Sequence, residues 1–307
     1  MKEFKLSTVD DKILNCYVWD DVKKPLGVIQ LVHGSAEYLT RYDQFGQEMN
    51  KKGFIVVGDD HRGHGKTALD NGQILGYFDA HNGWNKIVDD ELVVNDYIEK
   101  NFPDLPVFML GHSMGSFMAR NFAIKYSQRI DGLILSGTTD YNSQLLFLGS
   151  IVSRLLILFN QGKKPSKLLW NASYRTFNKK FNSPEANGSE WQTANQAVQL
   201  AFANDPLCGF VFTTSGFKDL FYGLNYIRKK KNIELMRKDL PILILAGLDD
   251  PVGEYGKNVQ KVATHFIGLN YDTKVMFYPN LRHEILFEPD HKQVEKDLLK
   301  FMKDIIH

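Results

Sequence analysis

Gly111-His112-Ser113-Met114-Gly115 sets a serine between two glycines, after the apolar run Val107–Leu110 and before a helical pattern. A hydroxyl on such a tight strand-to-helix turn points out at the strand's carboxyl end, and the flanking glycines remove side chains that would collide there. The helix N-terminus behind it favours developing negative charge. Ser113 is therefore a candidate nucleophile for acyl transfer. A serine hydroxyl needs a base, and the base needs an orienting acid. Pro279-Asn280-Leu281-Arg282-His283-Glu284 follows the last strand-like run, and Ala246-Gly247-Leu248-Asp249-Asp250-Pro251-Val252 follows the one before it. His283 is the expected base, since His291 opens a polar helical stretch and His307 is terminal. The acid is Asp249 or Asp250, which residue type does not separate. Asp250, beside Pro251, stands further along the turn and is better placed to reach His283. A tetrahedral intermediate also needs two backbone donors. One is the Met114 amide. The other comes from His33-Gly34-Ser35-Ala36-Glu37, where Gly34 permits close approach and the Ser35 amide is preferred over that of Ala36.

These residues are useful only if a sheet carries them to one edge. Phe4–Thr8 and Ile13–Trp19 read as an edge hairpin around Asp10-Asp11. Gly27–Val32, Phe54–Val57, Val107–Leu110, Leu133–Leu135, Pro241–Leu245 and Lys274–Phe277 are short apolar runs of the kind buried on both faces of a parallel sheet. Between them, Tyr42–Lys52, Trp84–Lys100, Met114–Tyr126, Tyr255–Thr264 and Lys292–Ile305 have helical spacing. Alternating strands and helices predict an α/β fold, mostly parallel, with helices on both faces. The rhythm breaks between residues 139 and 234, where helices are expected near 145–159, 190–203 and 217–230. The expected organisation is a core of residues 1–138 and 235–307 with a helical cap at 139–234 over the sheet's carboxyl ends.

Composition excludes several classes. The 307 residues carry 37 Lys plus Arg against 36 Asp plus Glu, a net charge of +1, so no global field draws nucleic acid. Two cysteines, Cys16 and Cys208, make no disulfide framework, and a cytoplasmic setting is expected. No 18-residue apolar stretch predicts a transmembrane helix, and no secretory signal is visible. Asp59-Asp60-His61-Arg62-Gly63-His64-Gly65 has two histidines near acids, but its glycines argue against a helical metal site; it reads as a loop bracing the site from below. No metal or cofactor is expected.

The motifs HGSAEY (33–38), DDHRGHG (59–65), GHSMGS (111–116), GLDDPVG (247–253) and Arg282-His283-Glu284 together resemble the monoacylglycerol lipase and lysophospholipase group of α/β-hydrolases, related to the serine aminopeptidases. The chain departs from the group's pattern at Tyr38, where many members have His, and at Lys66-Thr67. The resemblance implies a triad of Ser113, Asp250 and His283, an oxyanion donor at Ser35, and Glu37 near a glycerol-like headgroup. Ala36 and His112 are expected beside it as substrate-contacting residues. The implied reaction is hydrolysis of a small-molecule acyl ester. By its own residues, Leu145–Phe159 reads either as an amphipathic helix facing an acyl chain or in transient contact with a lipid surface, or as a helix buried between cap and core. The alternatives are a peptidase whose Glu185 or Glu190 would hold a substrate ammonium, a general carboxylesterase, and a ligand-binding protein without turnover.

Overall fold

The computed structural model describes residues 1–306; His307 lies outside the described residues. Eight strands form one sheet: β1 (Lys2–Ser7), β2 (Ile13–Trp19), β3 (Gly27–Val32), β4 (Phe54–Asp59), β5 (Val107–His112), β6 (Gly132–Ser136), β7 (Ile242–Gly247) and β8 (Thr273–Tyr278). Their order is β1-β2-β4-β3-β5-β6-β7-β8, and only the pairings made by β2 are antiparallel. The expected hairpin forms β1 and β2, with Asp11 at φ 59° in its turn. β3, β4, β6 and β7 are buried throughout because helices cover both faces, as their unbroken apolar runs require. β8, at the edge, alternates half-buried and exposed residues.

Strand alternation sorts the core into two layers. Met109, Leu133, Leu135, Ile242 and Ile244 pack under α3 (Gly83–Asn101), α4 (Met114–Tyr126) and α10 (Lys257–Ile267). Ile29, Leu31, Phe108, Leu110, Ile134 and Leu243 pack under α1 (Asp43–Lys51) and α11 (Lys292–Ile306). α2 (Gly65–Asp70) is a short helix after the 59–65 loop.

After β3 the chain crosses to β4 on one side, and the next crossover returns it to β5 on the other. The carboxyl ends of β3 and β5 therefore flank the point where winding reverses, the place where open α/β sheets bind ligands. Between β6 and β7 lie α5 (Ser143–Leu158), α6 (Lys167–Tyr174), α7 (Gln196–Asn204), α8 (Thr214–Ile227) and α9 (Lys230–Ile233). α6 was not anticipated, and the helix expected from 190 begins only at Gln196. Residues 187–195 instead follow side-chain bonds. The Glu190 carboxylate takes the amides of Asn187 and Gly188, and Asn195 caps α7 by accepting from the Ala197 amide. α8 packs into the core, its Gly223 lying against the Trp84 indole of α3. Among the described residues no helix is long and apolar enough to cross a membrane.

Candidate functional site

Ser113 follows the last residue of β5 at φ 52°, ψ −119°, a backbone conformation that side chains disfavour and that persists only where the surroundings impose it. Here they do. A methyl on Gly115 would lie 2.1 Å from the Val32 carbonyl oxygen, and one on Gly111 would lie 2.4 Å from that of Gly115. The Ser113 amide donates to Ser136 O (2.9 Å), and Ser116 Oγ donates to Ser113 O (2.6 Å). The turn leaves the serine partly exposed on a cavity wall. Met114 opens α4, so its N–H is one of the amides that a helix start leaves without an intrahelical acceptor.

Asp250 and His283 meet beyond β7 and β8. The Asp250 side chain is fully buried; its Oδ1 accepts from the Val252 amide (2.8 Å) and its Oδ2 lies 2.9 Å from His283 Nδ1. Asp249 points away, to Lys180 at the surface (2.6 Å). Burial by itself would depress the His283 pKa, but the Asp250 charge and hydrogen bond outweigh it, leaving it above the ordinary 6.5. His283 Nε2 is buried with no hydrogen-bond partner. Ser113 and His283 line the same cavity with no hydrogen bond between them, a contact often loose before substrate arrives.

Two cavities meet at Ser113. One, of about 390 Å³ and the more polar of the two, is walled by polar and apolar groups in near-equal measure, the polar ones including Ser35, His112, Asn178, Gln192, His283 and Glu284. The other, of about 630 Å³, is walled chiefly by apolar ones, among them Met114, Phe117, Leu146, Val152, Phe221 and Leu224. Ser35, Ser113, Tyr174 and Trp191 border both. Trp191 packs on the His283 ring (centroids 5.1 Å), and Tyr174 Oη lies 3.1 Å from Ser35 Oγ. The sequence reading had missed both aromatics, since nothing in a polar inserted segment marks which ring turns inward.

The loop after β3 is tied down by buried charge. Glu37 Oε1 accepts from the Gly34 amide (2.6 Å) and Tyr42 Oη (3.0 Å), and Oε2 takes Arg41, which also forks onto Glu284 with two bonds of 2.9 Å. Glu37, expected at a headgroup, thus borders the polar cavity with both oxygens already engaged. Burial pushes its carboxyl up, against the pull of Arg41. Arg41 was not anticipated; its signal was an arginine four residues after Glu37. Ala36 and His112 both border the polar cavity, and His112 packs beside His283 (4.8 Å) with its pKa driven well below the ordinary value, first by burial and then by that neighbour. Glu185 is exposed, Glu190 is occupied by Asn178, Asn187 and Gly188, and neither borders a cavity at Ser113. The Leu145–Phe159 stretch forms α5 and exposes Leu145, Phe147, Leu148, Leu155, Leu158 and Phe159. Arg228-Lys229-Lys230-Lys231, a local basic run after α8, is a half-buried arginine on Asp140 followed by solvated lysines.

Residues 23–290 match the family described as serine aminopeptidase, S33. The chain is 26% identical over 292 residues to a monoacylglycerol lipase of Mycolicibacterium smegmatis, covering 93% of this chain and 91% of that protein. It is 26% identical over 288 residues to a phospholipase of Bacillus subtilis, covering 92% and 97%. The crystal structure of a thermostable carboxyl esterase from Bacillus coagulans in complex with glycerol superposes with a TM-score of 0.92 at 29% identity, covering 100% of this chain and 99% of that one. The chain belongs to the serine aminopeptidase S33 family and has its α/β-hydrolase fold.

Proposed function

We propose that this chain is a serine hydrolase of lipid carboxylic esters, taking a monoacylglycerol or lysophospholipid of medium or long chain. One observation carries the reading: the serine stands where a half-polar cavity and a larger, chiefly apolar one join, as an ester bond stands between a polar alcohol and an apolar acyl chain. Relatives named as a monoacylglycerol lipase and a phospholipase, and an esterase solved with glycerol, support the same class.

In this reading Ser113 Oγ attacks the ester carbonyl carbon while His283 Nε2 takes its proton. Asp250 holds Nδ1–H and so keeps Nε2 free to accept. The carbonyl oxygen becomes an oxyanion received by the Ser35 and Met114 amides. Collapse breaks the bond to the alcohol, which leaves with the proton from His283 and departs through the polar cavity. A water deprotonated by His283 then attacks the acyl-enzyme, and the fatty acid is released as Ser113 regains its proton.

Residues 139–234 act as a cap on the core of residues 1–138 and 235–307, supplying most of the apolar cavity. The exposed apolar side chains of α5 touch a lipid surface transiently while substrate is loaded. Both cysteines are free and buried, in keeping with a cytoplasmic protein. The engagement of Glu190 and the exposure of Glu185 disfavour an ammonium anchor and hence a peptidase. The test is turnover of 1-monoacylglycerols and p-nitrophenyl esters of graded chain length against aminoacyl anilides. Faster anilide turnover overturns the reading, and so does a folded protein whose Ser113 takes no fluorophosphonate label.

A further inference from the structure

Beneath the loop after β3 lies a buried polar cluster that the triad does not use. The His61 and His33 rings stack with centroids 3.7 Å apart, and both side chains are almost wholly buried. Each ring nitrogen has a partner that settles its proton. His33 Nε2 accepts from the His61 amide (3.1 Å), so its Nδ1 carries the hydrogen and donates to Gly34 O (2.8 Å). His61 Nε2 lies 3.1 Å from His33 O, a pure acceptor, so it also carries hydrogen. His61 Nδ1 faces Glu91 Oε1 at 3.2 Å and Asp59 Oδ1 at 3.4 Å, two buried carboxyl oxygens with no other hydrogen-bond partner. Burial pushes the Glu91 carboxyl up, so the acceptor that a bare Nδ1 lone pair would face is Asp59, which approaches it with both oxygens (3.4 and 3.5 Å). His61 therefore holds protons on both nitrogens.

The peptide joining Gly34 to Ser35 is planar and trans, so its C=O and N–H point in opposite directions. A bond that fixes the Gly34 carbonyl fixes the aim of the Ser35 amide. We propose that His33 and His61 are positioning residues for the reaction, orienting the Ser35 N–H toward the oxyanion through a relay anchored on Asp59 and Glu91. The inference rests on the proposed roles of Ser113 and Ser35. The groups facing the imidazoles are Asp59 on β4, Glu91 on α3, His64 in the loop after β4 and Arg41 after β3; Asp60, Asp90 and the Cys16 thiol act on the two carboxyls rather than on the rings. Burial disfavours the His61 cation, but Asp59 and Glu91 more than offset it and raise its pKa to about 9. The second proton is thus held below that pH and lost as pH rises through it, which gives the relay an alkaline limit.

Two substitutions separate the bonds. His61→Gln puts an amide nitrogen near the place of Nε2 and can keep the bond to His33 O; His61→Asn reaches only the Nδ1 side. His61→Asn is expected to lower kcat roughly 10- to 100-fold, a part of the roughly 10²–10³ lost with a whole oxyanion donor, with KM little changed. His61→Gln should keep more activity and lose the fall in kcat near pH 9 that is expected of wild type. Both variants within two-fold of wild type, or His61→Gln keeping the alkaline limb, overturns the proposal. Should the variants not fold, nitrogen NMR of 15N-histidine-labelled His283→Ala protein decides. One imidazole protonated on both nitrogens at pH 8 supports the relay, and none overturns it. Fluorophosphonate labelling of wild type separates the layers: an unlabelled Ser113 removes the functional reading and the relay with it, whereas a labelled Ser113 with His61→Asn at wild-type kcat removes the relay alone.

Discussion

Replacing Asp250 with Asn changes one atom, and the surrounding bonds decide where that atom goes. Oδ1 receives the Val252 amide at 2.8 Å and Oδ2 faces His283 Nδ1 at 2.9 Å. An asparagine that keeps its oxygen on Val252 presents its NH₂ to Nδ1, which must then be the unprotonated nitrogen. The ring proton moves to Nε2, and Nε2 can no longer take the Ser113 proton. The flipped amide restores the tautomer but sets two N–H donors against each other in a buried place, at a cost of about 1–3 kcal/mol. The wrong tautomer therefore dominates. The Asp250 charge that stabilises the imidazolium is also gone. Together these should lower kcat by about 10⁴-fold, the loss known for the same change in another triad hydrolase. Asp249→Asn removes only a surface pair with Lys180, a contact of about 0–1 kcal/mol, and should leave kcat within about two-fold. The assay is p-nitrophenyl ester turnover by both variants from pH 5 to 9. If His283 is the base, its neutral form is the active one and its pKa lies above 6.5, so wild-type activity is expected to fall as pH drops through that raised value. The residual activity of Asp250→Asn should have its acid limb at lower pH, because the charge that raised the pKa is missing. Asp250→Asn retaining a tenth of wild-type kcat, or Asp249→Asn proving the worse, refutes the assignment.

Arg41→Leu leaves Glu37 and Glu284 as buried carboxyls without their cation, which should destabilise the fold by roughly 3–5 kcal/mol in urea titrations near neutral pH. Burial already raises the Glu37 pKa, and losing Arg41 raises it further, so the deficit should shrink as pH falls and the carboxyls take protons; a pH-independent deficit would contradict this. Val152→Phe intrudes on the apolar cavity and should lower kcat/KM for long-chain p-nitrophenyl esters roughly 10-fold or more relative to acetate; equal effects on both would separate that cavity from acyl binding. Leu158→Glu with Phe159→Glu, at the most exposed end of α5, should weaken co-sedimentation with phosphatidylcholine vesicles while turnover of a soluble acetate ester stays near wild type.

The sheet was legible because its strands are buried on both faces: GVIQLV at 27–32 and ILILAG at 242–247 admit little but a central parallel strand. The candidate triad was legible for a related reason, since each member stands just past a strand's carboxyl end. The choice of Asp250 over Asp249 was posed by sequence but turns on a direction in space, the one side chain facing His283 and the other Lys180. The region from 139 to 234 was read poorly. Trp191 and Tyr174 are placed by bonds that bind distant parts of the chain, such as Glu284 N to Gln192 O at 2.6 Å, and no local periodicity encodes those. The hydrogen bonding of Glu37 was illegible for the same cause: Arg41 and Tyr42 are near in sequence, but Arg41 also forks onto Glu284, more than two hundred residues away.

The strain at Ser113 and the buried charge around it belong to one arrangement. A positive φ at a serine costs on the order of 1–3 kcal/mol and would relax if the turn could move. It cannot, because Gly115 seats the turn against the carbonyls of Val32 and His33, the residues that lead into the loop carrying Ser35. That loop is fixed in turn at His33 O by His61, at Gly34 O by His33 and at Gly34 N by Glu37. The proposed nucleophile and the proposed oxyanion donor thus rest on each other, and neither turn can shift without the other. A flexible loop would have to be organised in the transition state itself. Rigidity set before substrate arrives lets the amides meet the oxyanion with little reorganisation, and buried, charged side chains beneath the loop are what that rigidity requires.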